Sequence, residues 1–182
     1  MNKLLSAIIP ENLLRYAKKL YLKIRGSYYY GSRYHCPICE HNFRKMLPGG
    51  FDLEVVKQKG IIGSGLRENN ICPYCQSTDR DRLVYLFLKN KTNILSEKTK
   101  VLHMSPEPAL YNKISKLKNI EYLTGTKYSE GIYYHKNIQS LDLLDLALQN
   151  NEFDIIICNH VLEHIIDDNK AMLELFRVLK PG

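Results

Sequence analysis

The feature that most constrains the fold is a continuous apolar run near the end of the sequence, Ile155–Cys158. Such a run is typical of a strand buried on both faces of a parallel sheet. Asn159 and His160 follow directly, and ligands of open parallel sheets bind at the carboxyl ends of the strands. Asp168 then suits the first turn of a helix that ends before Pro181. This part of the chain is therefore predicted to form a strand, a loop and a helix.

Upstream, short apolar runs alternate with helical patterns, which predicts a parallel, doubly wound sheet with right-handed crossovers. The predicted strands cover 101–104, 121–124, 133–138 and 153–158, and the predicted helices between them cover 106–117 and 141–148. In the last helix, an apolar stripe is expected from Ala171, Leu173, Leu175, Phe176 and Leu179. Thr78 and Asp81 have capping-box spacing, which predicts a further helix that leads into this half of the chain.

Two Cys-Pro-x-Cys motifs supply four thiols with the paired spacing of metal ligands: Cys36, Cys39, Cys72 and Cys75. Tetrahedral sulfur coordination favours zinc, and a closed four-cysteine shell is structural rather than catalytic. The motifs therefore predict an enlarged zinc ribbon. The alternatives are a redox pair, cysteines that are merely buried, or replacement of a ligand by His35 or His41. Cys158 is expected to be a small buried side chain inside its strand.

Residues 10–25 predict a basic amphipathic helix. Leu13, Ala17, Leu20 and Ile24 recur at helical spacing, opposite Arg15, Lys18, Lys19 and Lys23. Two interpretations stay open for this helix. It packs on its own protein with a solvated cationic face, or it attaches to an anionic surface of lipid or nucleic acid.

The formal net charge of the chain is +7, and the excess of Lys and Arg lies in the N-terminal half. A field of this sign favours an anionic partner. No run approaches the roughly 20 apolar residues that a membrane span needs, and Leu4–Ile9 is too short for a signal-peptide core. The cysteine usage suits a reducing compartment, so the sequence predicts a cytoplasmic protein.

The final segment, FDIIICNHVLEHIIDDNKAMLELFRVLKPG, resembles the fourth strand and following helix of class I S-adenosylmethionine (SAM) dependent methyltransferases of the type-11 group. Together with the four cysteines and the Pro106-Glu107-Pro108 turn, most of residues 34–182 is similar to bacterial zinc-ribbon methyltransferases whose first loop lacks glycines. The resemblance implies an α/β protein: an incomplete, Rossmann-like, doubly wound parallel sheet preceded by a small zinc-ribbon module. The implied parts are a basic helix and linker at 1–33, the ribbon at 34–77, and the N-terminal part of a methyltransferase domain at 78–182.

The same resemblance implies SAM as cofactor and places its contacts at the ends of the strands. The implied cofactor-binding residues are Ser105, Pro106, Glu107, Thr126, Asn137, Asn159 and His160. Thr126 stands where the family has a carboxylate for the ribose hydroxyls, and Asn137 where an acidic residue helps to read adenine. His160 is the candidate catalytic residue, as acceptor of a proton from a hydroxyl or amine. Its alternative role is packing or loop capping.

The predicted function is SAM-dependent methyl transfer to an acceptor such as a glycan, a small molecule or RNA. The alternative is a non-enzymatic zinc-ribbon protein that binds nucleic acid, or an inactive methyltransferase-like protein. In the family order a further strand lies beside 153–158, so an incomplete catalytic domain is expected. Its exposed apolar sheet edge would favour self-association.

Overall fold

The computed structural model describes residues 10–61, 65–127 and 137–182. The chain forms two compact units, Met1–Leu83 and Val84–Gly182. Each unit is described by itself below. In the described part of the chain, no helix has the length and apolar character that crossing a bilayer requires.

The first unit combines one long helix with two small antiparallel sheets. Its elements are α1 (Glu11–Tyr28), β1 (Tyr30–Cys36), β2 (His41–Phe43), β3 (Leu47–Gly49), α2 (Glu54–Gln58) and β4 (Arg67–Ile71). Strand β1 pairs with β2, and β3 pairs with β4. The strands are short and largely exposed, and Phe43 and Met46 are among the few large side chains buried in this unit. The four cysteines therefore lie in a unit with little apolar core.

Helix α3 (Asp79–Lys91) begins with the predicted capping box, which is confirmed. The Thr78 amide donates to the Asp81 carboxylate at 2.8 Å, and the Asp81 amide donates to the Thr78 hydroxyl at 3.3 Å. Two amides that have no partner within the helix are satisfied in this way.

The second unit is built around a parallel sheet, as the sequence predicts. It contains β5 (Thr99–Met104), α4 (Pro108–Ile114), β6 (Ile120–Thr126), β7 (Gln139–Ser140), β8 (Ile155–Cys158), a 3₁₀ turn (Leu162–His164) and α5 (Asp168–Val178). The strand order is β7-β6-β5-β8, with every pair parallel. The predicted strand at 133–138 falls mostly on residues 128–136, outside the described ranges.

Strand β8 covers the apolar run Ile155–Cys158, begins two residues later than the strand predicted at 153–158, and is less buried than predicted. Ile157 is buried, whereas Ile155, Ile156 and Cys158 are only half-buried. Among the described strands β8 pairs with β5 alone. It is therefore the outer strand of the described sheet, and none of the described strands pairs with its other edge. The expectation that this strand is buried on both faces is wrong for Ile155, Ile156 and Cys158.

The core of this unit lies between the sheet, the segment 141–148 and α5. Its buried members are Leu102, Met104, Leu141, Leu143, Leu146, Phe153, Ala171, Leu175 and Val178. Helix α5 is capped by Asp167, whose carboxylate accepts from the Lys170 amide at 2.9 Å. The predicted stripe on α5 is wrong at two positions, since Leu173 and Phe176 are exposed and Val178 is buried instead.

The predicted helix at 141–148 is wrong, because side chains rather than a helical ladder bind the backbone of this segment. The Asp142 carboxylate accepts from the Leu144 amide at 3.0 Å, and the Glu174 carboxylate accepts from the Leu146 amide at 2.8 Å. The Arg177 guanidinium donates to the carbonyls of Leu146 and Leu148, each at 2.8 Å. These bonds hold the leucines at the core in an irregular loop.

Gly125 in β6 packs directly against Leu141, so Gly125→Ala is expected to destabilise this unit. An added Cβ would lie 2.8 Å from Leu141 Cγ and 3.0 Å from Leu141 Cβ. Overpacking of this kind costs about 1–3 kcal/mol. Chemical denaturation should show the loss, whereas Gly182→Ala, which meets no atom within 4 Å, should leave the midpoint unchanged. Equal midpoints for the two variants would contradict the close packing.

Candidate functional site

The four predicted cysteine ligands converge in the first unit. Cys36, Cys39, Cys72 and Cys75 place their sulfur atoms within 4.8 Å of one another, and all four are free thiols. The Sγ atoms of Cys36 and Cys75 are 3.7 Å apart, and those of Cys39 and Cys72 are 3.8 Å apart. A tetrahedral ion with Zn–S bonds of about 2.3 Å has sulfur–sulfur edges of roughly 3.8 Å. The donor set therefore fits one zinc-sized ion.

The two cysteine motifs have the same backbone geometry. The Glu40 amide donates to the Cys36 carbonyl at 2.8 Å, and the Gln76 amide donates to the Cys72 carbonyl at 3.1 Å. Glu40 and Gln76 both adopt left-handed backbone angles, with φ of 62° and 63°. Each motif thus turns back sharply after its second cysteine, and both thiols of a pair face the same centre.

Ser77 contacts two sulfur atoms of the cluster without being one of its ligands. Its hydroxyl lies 3.4 Å from Cys36 Sγ and 3.2 Å from Cys75 Sγ, and its carbonyl accepts from the Cys72 amide at 2.8 Å. Ser77 is itself fully buried. Hydrogen bonds from outside the ligand set orient sulfur ligands and moderate their charge. His35 and His41, the alternative ligands, are not part of the group that could hold an ion.

The second unit contains a cleft at the carboxyl ends of β5 and β6. Its volume is about 470 Å³. The lining residues are Met104, Ser105, Thr126, Lys127, Leu141, Asp142, Leu143, Leu144, His160, Val161, His164, Ile165 and Ile166. The cleft is mostly apolar with a few polar groups, which is the usual character of a small-molecule site.

Two residues beside the cleft have left-handed backbone angles that L-residues seldom adopt. Ser105 follows β5 with φ of 47°, and His160 follows β8 with φ of 53°. The Ser105 amide donates to the Gly125 carbonyl at 2.7 Å, and the Ser105 and Thr126 hydroxyls are 3.2 Å apart. Such conformations persist where surrounding contacts fix them, and they are common at binding sites.

The structure brings together some of the predicted cofactor contacts but not all of them. Ser105, Thr126 and His160 line the cleft, whereas Pro106, Glu107 and Asn159 do not. Asn137 is exposed and precedes β7 instead of following it.

Glu107 belongs to a buried hydrogen-bonded network next to the cleft. The imidazole of His103 is fully buried, with Nε2 3.0 Å from a Glu107 carboxylate oxygen and Nδ1 2.7 Å from the Tyr122 hydroxyl. Burial acts to raise the pKa of Glu107, but the hydrogen bonds from His103 and Asn159 outweigh it, and the pKa lies below its ordinary value. Glu107 is therefore an ionised carboxylate at neutral pH.

The most prominent polar group that sequence reasoning missed is Asp142. Its carboxylate lines the cleft two positions after β7 and accepts from Lys127 Nζ at 2.6 Å. This hydrogen bond is the main reason why the pKa of Asp142 is below its usual range. The sequence does show an acidic residue shortly after the third strand. It was overlooked because residues 141–148 were predicted to form a helix.

His160 lines the cleft, and its ring contacts the carboxylate of Glu163. Its Nδ1 is 3.0 Å from a Glu163 carboxylate oxygen. A carboxylate on Nδ1 favours the tautomer whose Nε2 can accept a proton. Cys158 lies in β8 and is not part of the four-cysteine group, and burial raises the pKa of its thiol to about 11. Cys158 is therefore a poor nucleophile at neutral pH.

Most of the residues that line the cleft lie in a segment that matches a known family. Residues 110–182 match the family described as Methyltransferase domain. This match agrees with the resemblance seen in the final segment of the sequence. We refer to residues 84–182 as the methyltransferase-like unit.

Comparison with solved structures gives further similarities. A candidate SAM-dependent methyltransferase from Methanococcus maripaludis is 16% identical, with a TM-score of 0.42, over 55% of this chain and 50% of that chain. A candidate sarcosine dimethylglycine methyltransferase from Galdieria sulphuraria is 20% identical, with a TM-score of 0.46, over 72% of this chain and 48% of that chain. The cyclase SpnF is 22% identical, with a TM-score of 0.43, over 56% of this chain and 42% of that chain.

All three TM-scores lie below 0.5. This chain spans half or less of the length of these solved proteins. No curated protein sequence matches the chain significantly.

Proposed function

We propose that the methyltransferase-like unit binds SAM in the cleft and positions it for methyl transfer to an acceptor. The observation that supports this most is the cleft of 470 Å³ at the carboxyl ends of parallel strands. Most of its lining residues belong to the segment that matches a methyltransferase domain. Ligands of open α/β sheets bind at this edge.

The residues present suit the groups of this cofactor. We assign contacts with the sugar hydroxyls to Ser105, Thr126 and Asp142, because hydroxyl and carboxylate oxygens accept hydrogen bonds there. We assign the ammonium group of the amino-acid end to the ionised Glu107, which lies next to the cleft and is held by His103. Pro106, Asn137 and Asn159 stay proposed contacts from the family resemblance.

SAM supplies an activated methyl group on a sulfonium. Transfer is an in-line displacement, so holding the acceptor in line contributes most of the rate. His160 is the residue we assign to take up the proton that the acceptor hydroxyl or amine releases, with Glu163 holding its ring from Nδ1. The acceptor classes are those that the sequence suggests: a glycan, a small molecule or RNA.

We also propose that Cys36, Cys39, Cys72 and Cys75 hold one structural zinc ion, within a ribbon at residues 34–77. The support is that two of the sulfur separations, 3.7 and 3.8 Å, match the edges of a tetrahedral sulfur shell, with all four sulfurs within 4.8 Å of one another. Four thiolates leave no position open for water or substrate.

Isothermal calorimetry with SAM and its demethylated product tests the cofactor proposal. We expect Asp142→Asn to weaken SAM binding by roughly tenfold to a hundredfold, because a hydrogen bond to a charged acceptor contributes about 1.5–3 kcal/mol. Asp145→Asn is the matched control, since Asp145 is exposed and does not line the cleft. It should bind as the parent does.

Two outcomes would contradict the proposal. Equal affinities of the two variants would remove Asp142 from the site. Absence of heat and of any shift in thermal stability with millimolar SAM would overturn cofactor binding itself. That result would favour the alternative of a non-enzymatic zinc-ribbon or an inactive methyltransferase-like protein.

A further inference from the structure

Helix α1 has an apolar face that is exposed. Leu13, Leu20 and Ile24 recur at helical spacing on one side and are 55%, 47% and 60% exposed. From Asn12 to Tyr21, every side chain except the half-buried Leu14 is exposed. The structure therefore does not support the interpretation in which this face packs on its own protein.

Aromatic and cationic side chains border this apolar face in a definite order. At 100° per residue, Tyr16 lies at one margin and Tyr21 and Tyr28 at the other. These tyrosines are 67%, 58% and 67% exposed. Lys19 and Lys23 lie beyond the first margin and Lys18 beyond the second, and all three lysines are exposed. The helix surface thus changes from aliphatic to aromatic to cationic on both sides.

The C-terminal end of α1 is fixed to the cysteine cluster. Arg25 Nε donates to the Pro73 carbonyl at 2.7 Å, within the second cysteine motif. Gly26 approaches Tyr74 so closely that an added Cβ would lie 2.7 Å from its ring. The exposed turns are therefore carried by a helix with a defined attachment.

The charge of the chain is concentrated in the same unit. Residues 1–83 contain twice as many Lys and Arg as Asp and Glu, whereas residues 84–182 contain equal numbers. Within α1, Glu11 is the single acidic residue in the sequence, beside five basic ones. The partner of this helix is therefore expected to be anionic.

We propose that α1 is a surface anchor that lies in the headgroup region of an anionic lipid bilayer. Aliphatic side chains would enter the acyl boundary, tyrosines would lie at headgroup level, and lysines would reach the lipid phosphates, which is the order of groups on α1. A nucleic-acid strand would use the lysines and tyrosines but would leave Leu13, Leu20 and Ile24 in water. The aliphatic stripe therefore favours lipid.

The test uses the full chain and sedimentation with vesicles of phosphatidylcholine, alone or mixed with phosphatidylglycerol. We expect binding to the mixed vesicles only, and weaker binding at high salt. Leu20→Glu with Ile24→Glu should weaken it by roughly a hundredfold or more, since two buried apolar side chains are lost. Lys18→Gln with Lys19→Gln should weaken it roughly fivefold for each cation removed.

A matched control is Leu173→Glu with Phe176→Glu, which changes two exposed apolar residues of α5 in the same way. It should bind vesicles as the parent does. Circular dichroism checks that each variant keeps its helix content. The chain has no tryptophan, so Tyr16→Trp adds a single fluorophore whose emission should shift to the blue on mixed vesicles.

Three outcomes would overturn the proposal. One is no binding to mixed vesicles together with no emission shift. Another is vesicle binding that survives Leu20→Glu with Ile24→Glu. The third is tight binding of single-stranded RNA that depends on Lys18 and Lys19 but not on Leu20 and Ile24, with no vesicle binding. That result would assign the helix to nucleic acid.

Discussion

Cys36→Ser combined with Cys72→Ser is expected to abolish zinc binding and to unfold the structure around the cysteine cluster. The pair of substitutions removes one ligand from each motif, and a structural zinc site contributes an apparent 10–16 kcal/mol, roughly, at neutral pH. The strands of this unit are short and largely exposed, so little apolar burial remains to offset that loss. Elemental analysis should give one zinc per parent chain and none in the variant. Limited proteolysis should show cleavage in the first unit.

Cys158→Ser is the matched control for this experiment, because Cys158 is not part of the four-cysteine group. It should keep one zinc per chain. A thiol-reactive reagent should label the parent slowly until a chelator is added and then label four thiols rapidly. Cys158 should react last, since burial raises its pKa to about 11. The zinc proposal would be wrong if parent protein purified without chelator contained no zinc. It would also be wrong if the double variant retained zinc.

His103→Leu is expected to lower the free energy of unfolding of the methyltransferase-like unit by about 3 kcal/mol at pH 7. The imidazole bridges Glu107 and Tyr122 from a fully buried position. Leucine has no polar atom, so the substitution leaves a partly buried carboxylate and a phenol without their partner. Chemical denaturation of zinc-loaded protein measures the loss, and the exposed His164→Leu should cost far less.

The pH dependence separates this effect from lost packing. The pKa of Glu107 is lowered in the folded protein, so its contribution to stability is present above the ordinary pKa of about 4.3 and is lost as the pH falls through the lowered value. The difference in free energy of unfolding between the parent and His103→Leu should therefore become smaller at acid pH. In a double-mutant cycle, His103→Leu and Glu107→Gln should be non-additive. If the losses in unfolding free energy are additive, and the difference between parent and His103→Leu does not depend on pH, the substitution removed only packing.

The sequence was most informative where a few chemical groups determine the local structure. Paired spacing predicted that four thiols would meet, and the structure confirms that they do. Thr78 and Asp81 satisfy the backbone groups that their spacing predicts. The apolar run Ile155–Cys158 coincides with a parallel strand of the structure, and a run of this length is too short for a helix.

The predictions were wrong where contacts between residues distant in sequence determine the local structure. Leucines at 141–148 fit a helical pattern, but Glu174 and Arg177 bind the backbone of that segment and hold it as a loop. Asp142 was overlooked for the same reason. The exposed face of α1 could not be predicted, since an amphipathic pattern states which side is apolar but not what covers it.

Arg177 gives the cleft an unusual dependence on a distant position. Its guanidinium binds the carbonyls of Leu146 and Leu148 from α5, and it does not line the cleft itself. The same loop carries Leu141 and Asp142 into the cleft wall. Variation at position 177 would therefore shift the cleft wall without changing any residue that contacts the ligand, and a search for specificity determinants confined to the cleft lining would overlook it.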